Sequence, residues 1–271
     1  MNWGRAKTIL IILFLVIDVF LFALLSYVQN DVSFIKHKTI EETVSVLKSH
    51  NINVKEEQIP SERNKYVNVK IQNLLSDPKY MAERFIGETY SIVSEDEEKK
   101  TYQNNEILLT VSNDEFMFQT QRNVKEIESY EETKTALFKD LNKLGYDVRN
   151  IGFENYYIKD GKCYISAFFK FKENRIQDSD FLVVADGNGI LNISGKCFLI
   201  TEFKNTKENL LDITSVLINM IYDSRYHGIT IEKAELAYRI DFELQNASEA
   251  SLYPVYIITD DLGREYVFEA L

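Results

Sequence analysis

The chain has 271 residues, of which 42 are acidic and 31 are Lys or Arg, giving a net charge of -11. A negative field of that size repels nucleic acid and anionic lipid headgroups, which argues against a phosphate-binding surface. Only two cysteines and three prolines occur, too few for a disulfide-stapled scaffold or a proline-rich linker.

The N-terminal segment is the strongest signal. From Ile9 to Val28 only Asp18 and Ser26 are strongly polar, and at ~1.5 Å per residue this run matches the roughly 30 Å of a bilayer core. It is apolar on every side, unlike the striped helices of soluble domains. Its length and the lack of an A-x-A pattern after it argue against a cleaved signal peptide. Arg5 and Lys7 precede it and Asp31 follows, so the spacing predicts a single-pass cell-membrane protein with a cytoplasmic N-terminus and everything after residue 30 outside the cytoplasm.

Thr39-Ile40-Glu41-Glu42 has the form of a capping box, with Ile40, Val44 and Leu47 on one face, and predicts a helix ending near His50. Tyr66 to Ile71 alternates as a strand. Asp77-Pro78 opens a helix with Met81 and Phe85 inward and Gly87 at its end. Ile107 to Val111 and Phe116 to Thr120 follow as a hairpin.

A second set of elements begins with a helix over Thr135 to Leu144, with Gly145 at its cap. Leu47 to Val54 aligns with Leu141 to Val148, which suggests an internal repeat. Strands are predicted at Cys163 to Phe171, Phe181 to Ala185 and Ile190 to Ile200, with Asp186-Gly187-Asn188-Gly189 as a turn. Next come a long amphipathic helix from Thr206 through Ile221 and strands at Ala234 to Phe242, Val255 to Thr259 and Glu265 to Glu269. The expected architecture is α+β: a transmembrane helix within residues 1–30, then two tandem extracytoplasmic units over 31–128 and 129–271. Each would be an antiparallel sheet packed with helices; a single mixed domain is the alternative.

Chemistry is sparse. His37, His50 and His227 are the only histidines, and none stands at H-x-x-x-H or C-x-x-C spacing, so no metal ligand or catalytic base is expected. Asp186-x-Asn188 resembles the start of an EF-hand loop but lacks the closing glutamate. The pairs Asp178/Asp180 and Asp260/Asp261 read as solvated turns. Cys163 and Cys197 form either one disulfide or two buried thiols. No catalytic residue, metal or cofactor is expected, and no enzyme activity.

Asp18 remains. An aspartate at the centre of a spanning helix costs about 2.5–3.5 kcal/mol on insertion scales and is too short to reach either surface. A hydrogen-bonding partner helix would offset that cost. Ile11, Phe14, Leu15, Leu21, Phe22 and Leu25 share the face of Asp18 by helical spacing and form the expected partner-binding surface.

The opening Met1-Asn2-Trp3-Gly4-Arg5-Ala6-Lys7-Thr8-Ile9 running into Ile12 to Leu21 around Asp18 resembles the start of the YycI (WalI) family of Gram-positive bacteria. The ending is similar too: Tyr253-Pro254-Val255-Tyr256-Ile257-Ile258, then Gly263-Arg264-Glu265-Tyr266-Val267-Phe268-Glu269-Ala270. Tyr256 stands where tryptophan is usual, and Glu269 where asparagine is common. The resemblance implies two YycH-like α+β units. It also implies a non-enzymatic regulator of a YycG (WalK)-type sensor histidine kinase controlling cell-wall metabolism, acting with a YycH-like partner through transmembrane helix contacts. The competing expectation is an extracytoplasmic ligand- or peptide-binding module on a passive tether; a surface hydrolase ranks third.

Overall fold

The computed structural model describes residues 7, 11–22, 34–96, 98–127, 130–240 and 248–271. Helix α1 (His37–Ser49) buries Ile40, Thr43 and Leu47 on one stripe. It starts two residues before the expected capping box, with Lys36 at the N-cap and no side-chain cap. Thr39 lies inside the first turn, where its carbonyl accepts from the Thr43 hydroxyl at 2.8 Å. Glu41 and Glu42 face His37 and Lys38 one turn back, so i,i+4 charge pairing takes the place of the box.

The end of α1 shows what the aligned segments have in common. Asn51 adopts φ 60°, and the Ile52 N–H folds back to donate to the Leu47 carbonyl at 3.0 Å. At the end of a later helix Gly145 adopts φ 82°, and the Tyr146 N–H donates to the Leu141 carbonyl at 2.9 Å. In both copies the leucine and the apolar residue after the left-handed position are buried. The repeat is therefore a shared three-dimensional helix stop at these two places.

Strand β1 (Lys65–Asn73) follows as expected. Helix α2 (Pro78–Phe85) is started by Asp77, whose carboxylate accepts from the Tyr80 N–H at 3.0 Å, while Pro78 occupies a first-turn position where a missing N–H goes unmissed. Strands β2 (Ser91–Glu95), β3 (Lys99–Gln103), β4 (Ile107–Ser112) and β5 (Phe116–Thr120) form an antiparallel meander. Helix α3 (Tyr130–Lys143) leads to β6 (Ile151–Lys159), β7 (Lys162–Phe171), β8 (Asn174–Asp186) and β9 (Gly189–Gly195). The strand expected from Ile190 to Ile200 breaks at Gly195, whose φ is 134° and where an added Cβ would lie 2.6 Å from the Asp180 carbonyl. The chain resumes as β10 (Phe198–Asn209).

The long helix expected from Thr206 is not formed. Residues to Asn209 extend β10, and only α4 (Ile213–Asn219) is helical, followed by the 3-10 turn Met220–Tyr222. Asp212 precedes α4 without capping it; its carboxylate is held instead by both ends of the Arg63 fork at 3.1 and 2.9 Å. Strands β11 (Ile231–Ile240), β12 (Glu249–Asp260) and β13 (Glu265–Glu269) complete the chain.

Two compact units result. The first comprises Met1–Tyr66, Lys207–Glu235 and Tyr256–Leu271; the second comprises Val67–Thr206 and Leu236–Val255. The chain passes between them within β1, β10, β11 and β12. The expected boundary at 128/129 falls inside the second unit, between β5 and α3. In the first unit, α1 packs on α4 and buries Leu47, Val216 and Leu217. The second unit carries the antiparallel ladder β2-β3-β4-β5-β9-β8-β7-β6.

On the inner face of that ladder, Leu109, Phe116, Phe118, Ile165, Phe169, Phe181 and Ile193 join Met81 and Phe85 of α2 and Leu137 and Leu141 of α3 in one core. Phe85 meets Phe116 at 5.3 Å between ring centres and Tyr146 edge-on at 5.9 Å. Each such buried side chain contributes ~1.5–3 kcal/mol. Arg84, on the other side of α2, donates to the Leu144 carbonyl at 3.0 Å and to the Gly145 carbonyl. A guanidinium thus satisfies the open end of α3 and complements its dipole.

Candidate functional site

Residues 11–22 form a helix whose every residue is exposed. At 100° per residue, Ile11, Phe14, Leu15, Leu21 and Phe22 fall within roughly 60° of Asp18. Their exposures run from 55% at Leu21 to 73% at Phe22. The opposite side is no better covered, with Ile12 57%, Leu13 54%, Val16 60% and Phe20 62% exposed. Leu25 lies outside the described residues, as do 9–10 and 23–28 of the expected span. Among the described residues no helix is long and apolar enough to cross a membrane.

In the second unit a cavity of about 590 Å³ opens between β4, β5, α3 and the β8–β9 turn, lined among others by Phe118, Arg122, Asp140, Lys143 and Asn188. Its cations are paired within the unit. Lys143 reaches Asp140 at 3.2 Å, and the Arg122 fork grips Asp186 at 2.8 and 2.7 Å. The Asp186 side chain is fully buried and also accepts from the backbone N–H groups of Lys125 and Asn188, each at 2.8 Å. Burial pushes its carboxyl up, but Arg122 and the two N–H groups prevail and hold it below the ordinary carboxylate range. The Asp186-Gly187-Asn188-Gly189 turn is therefore a structural clasp. Sequence reading found the turn, but not the Arg122 that closes it.

Asp260, expected in a solvated turn, is also buried. It accepts from Arg264 Nε at 2.7 Å, the Tyr266 hydroxyl at 3.0 Å, and the backbone N–H groups of Leu262 and Arg264. Burial raises its carboxyl, and these donors, Arg264 first, bring it down to about 2. Asp180 does face solvent, paired with Arg175 at 2.8 Å.

Both cysteines are free and buried, which settles the thiol alternative. Burial pushes the Cys197 thiol up to about 12 despite a 3.4 Å contact with the Tyr146 hydroxyl. Neither thiol is poised as a nucleophile.

The first unit holds a grouping that histidine spacing alone did not reveal. His37 Nδ1 lies 3.3 Å from Glu41 Oε1, one turn along α1, and His37 Nε2 lies 3.3 Å from Glu56 Oε2. Glu56 comes from the 3-10 turn Glu56–Gln58. The ligand atoms of these three residues lie within 4.8 Å of one another. His37 and Glu56 also line an open cavity of about 760 Å³ with Ile40, Val44, Lys55 and Ile59. The His37/Glu41 spacing was visible in the sequence; Glu56 required the fold.

No family model and no curated protein matches the chain. Among solved structures it is similar to an uncharacterized protein from Eubacterium rectale, at 14% identity and a TM-score of 0.48 over 83% of this chain and 96% of that one. A weaker likeness is to the Bacillus megaterium YpeB C-terminal domain, at 13% identity and a TM-score of 0.37 over 71% of this chain and 96% of that one. At these scores neither likeness carries a functional argument. What stands on its own is a mixed α+β chain with a large antiparallel sheet.

Proposed function

We propose that this protein is a membrane-anchored, non-enzymatic regulator of a sensor histidine kinase of YycG (WalK) type, acting with a YycH-like partner through its N-terminal helix. One observation carries the reading: helix 11–22 exposes apolar side chains on every side around a single carboxylate, Asp18. Leaving such a helix in water forfeits ~1.5–3 kcal/mol for each large apolar side chain, so it belongs in lipid or against another helix. Lipid satisfies the apolar side chains but not the carboxylate, which a neighbouring helix would satisfy. The similarity of both chain ends to the YycI family supplies the kinase as that neighbour. Packing of this kind alters kinase output only if it fits the active and inactive arrangements unequally.

The test is Asp18→Leu in the full chain, with expression, membrane insertion and co-purification of the kinase measured together. Insertion is expected to improve and kinase capture to fall. Undiminished capture would remove Asp18 from the interface. The second reading, an extracytoplasmic binding module on a passive tether, is favoured by the cavity beside Arg122 and Asp140. Replacing residues 9–28 by an unrelated span separates the two: the module keeps its function and the regulator loses it.

A further inference from the structure

We propose that His37, Glu41 and Glu56 form a binding site for a divalent transition-metal cation of the Zn²⁺ type. The imidazole of His37 stands between two acids. Both ring nitrogens face a carboxylate oxygen at 3.3 Å, yet a neutral imidazole has only one N–H to donate. The second carboxylate is therefore met either by a second ring proton, as in the imidazolium, or by a metal ion at that nitrogen. A metal ion gains in addition from the geometry on the other side.

Metal-bound imidazoles commonly donate their second N–H to a carboxylate, which fixes the tautomer and makes the ligating nitrogen more basic. Glu41, held one turn along the same helix, is placed for that role at Nδ1. Nε2 of His37 and the carboxylate of Glu56 then act as ligands. With all candidate atoms within 4.8 Å of one another, modest side-chain rotation brings nitrogen and oxygen to the about 2.0–2.2 Å that zinc requires. The adjoining cavity of about 760 Å³ gives water or a further ligand access to the remaining coordination positions.

Donor chemistry selects the metal class. One imidazole and carboxylate oxygens suit Zn²⁺ or Co²⁺, whereas Ca²⁺ and Mg²⁺ take oxygen ligands. Two carboxylates supply charge complementarity, opposed in part by Lys55 on the rim of the cavity. Binding would tie the first turn of α1 to the Glu56–Gln58 turn, close in sequence to the N-terminal helix. The inference rests on these three side chains and does not depend on the kinase reading.

The experiment is a Zn²⁺ titration of the full chain in detergent micelles by calorimetry, repeated with Co²⁺ for its visible absorption and with Ca²⁺ and Mg²⁺ for selectivity. One Zn²⁺ is expected per chain. His37→Ala and Glu56→Gln, each removing a ligand, should weaken binding at least about 10-fold, and Glu41→Gln about 10-fold through loss of orientation. His50→Ala and His227→Ala should bind as the unaltered chain does. Circular dichroism checks that the variants are folded, which the exposure of all three side chains favours. Zn²⁺ binding of equal strength in His37→Ala, Ca²⁺ binding as tight as Zn²⁺, or no saturable binding would each overturn the site.

Discussion

Removing Arg122 isolates the clasp at the β8–β9 turn. In Arg122→Ala, Asp186 loses two charge-assisted hydrogen bonds of 2.8 and 2.7 Å and keeps two backbone donors, from Lys125 and Asn188. Stranding one member of a buried ion pair costs ~3–5 kcal/mol. Arg122 is 28% exposed and the two N–H groups remain, so the expected loss is about 2–3 kcal/mol. At 2–4 °C per kcal/mol for a chain of this size, the melting midpoint should fall by roughly 4–12 °C. Urea unfolding followed by circular dichroism measures the loss directly. The pH dependence gives a second reading. The carboxyl of Asp186 is held below its ordinary range, so its contribution is complete above the unfolded value of about 3.9 and is lost as pH falls through the lower folded value. Wild type and variant should therefore differ most at neutral pH and converge in acid. A loss under about 0.5 kcal/mol at pH 7, within the range of ordinary surface substitutions, or a difference unchanged down to pH 2, would refute the clasp.

Four further outcomes follow. Gly145→Ala meets both a left-handed φ of 82° and the Arg84 guanidinium where its Cβ would sit; about 2–3 kcal/mol of stability should be lost on thermal unfolding. Asn51→Gly, at the matching stop of α1, should be neutral or stabilising by up to ~1 kcal/mol. Asp260, with its carboxyl lowered to about 2, should stabilise the fold above about pH 4 and lose that effect as pH falls through about 2. Acid titration of Asp260→Asn against wild type should therefore show the two curves merging at the acid end. Cys163 and Cys197, buried as free thiols, should resist a thiol reagent in the native chain and both react in denaturant; a missing thiol in denaturant would signal a disulfide.

Local punctuation was the most readable part of the sequence. Asp77-Pro78, the hairpin at Ser112 to Glu115, the left-handed Gly145 and β13 from Glu265 to Glu269 depend on residues within a few positions of one another, and there physics and pattern agree. The strands that escaped notice lack the alternation that marks a half-buried strand. All five residues of β2 are exposed, and β6 is exposed from Glu154 onward. Their backbone bonds to β3 and β7 hold them in place. Ladder pairing leaves no mark on the side-chain pattern of a strand when neither face is covered.

Failures of the opposite kind arose where a pattern fitted two structures. Thr206 to Ile221 contains apolar residues at helical spacing, yet Thr206 to Asn209 continue β10 and Leu210 donates its N–H to Asn64. A residue more than a hundred positions away decides the outcome. Asp212 and Arg63 lie 149 positions apart, and Asp186 and Arg122 lie 64 apart. Asp186 and Asp260 looked alike in sequence, as acids in turns, and Asp212 fell inside the helix expected from Thr206 through Ile221. Their partners make them different: Asp186 and Asp260 are sealed in and held ionised by arginines, while Asp212 is gripped at the surface. Glu56 follows the same logic, since a carboxylate nineteen positions after His37 becomes a candidate ligand only when the chain turns back along α1. Asp18 differs again: it stands on helix 11–22 among apolar side chains that are themselves exposed. That setting is the reason a partner helix is proposed for it.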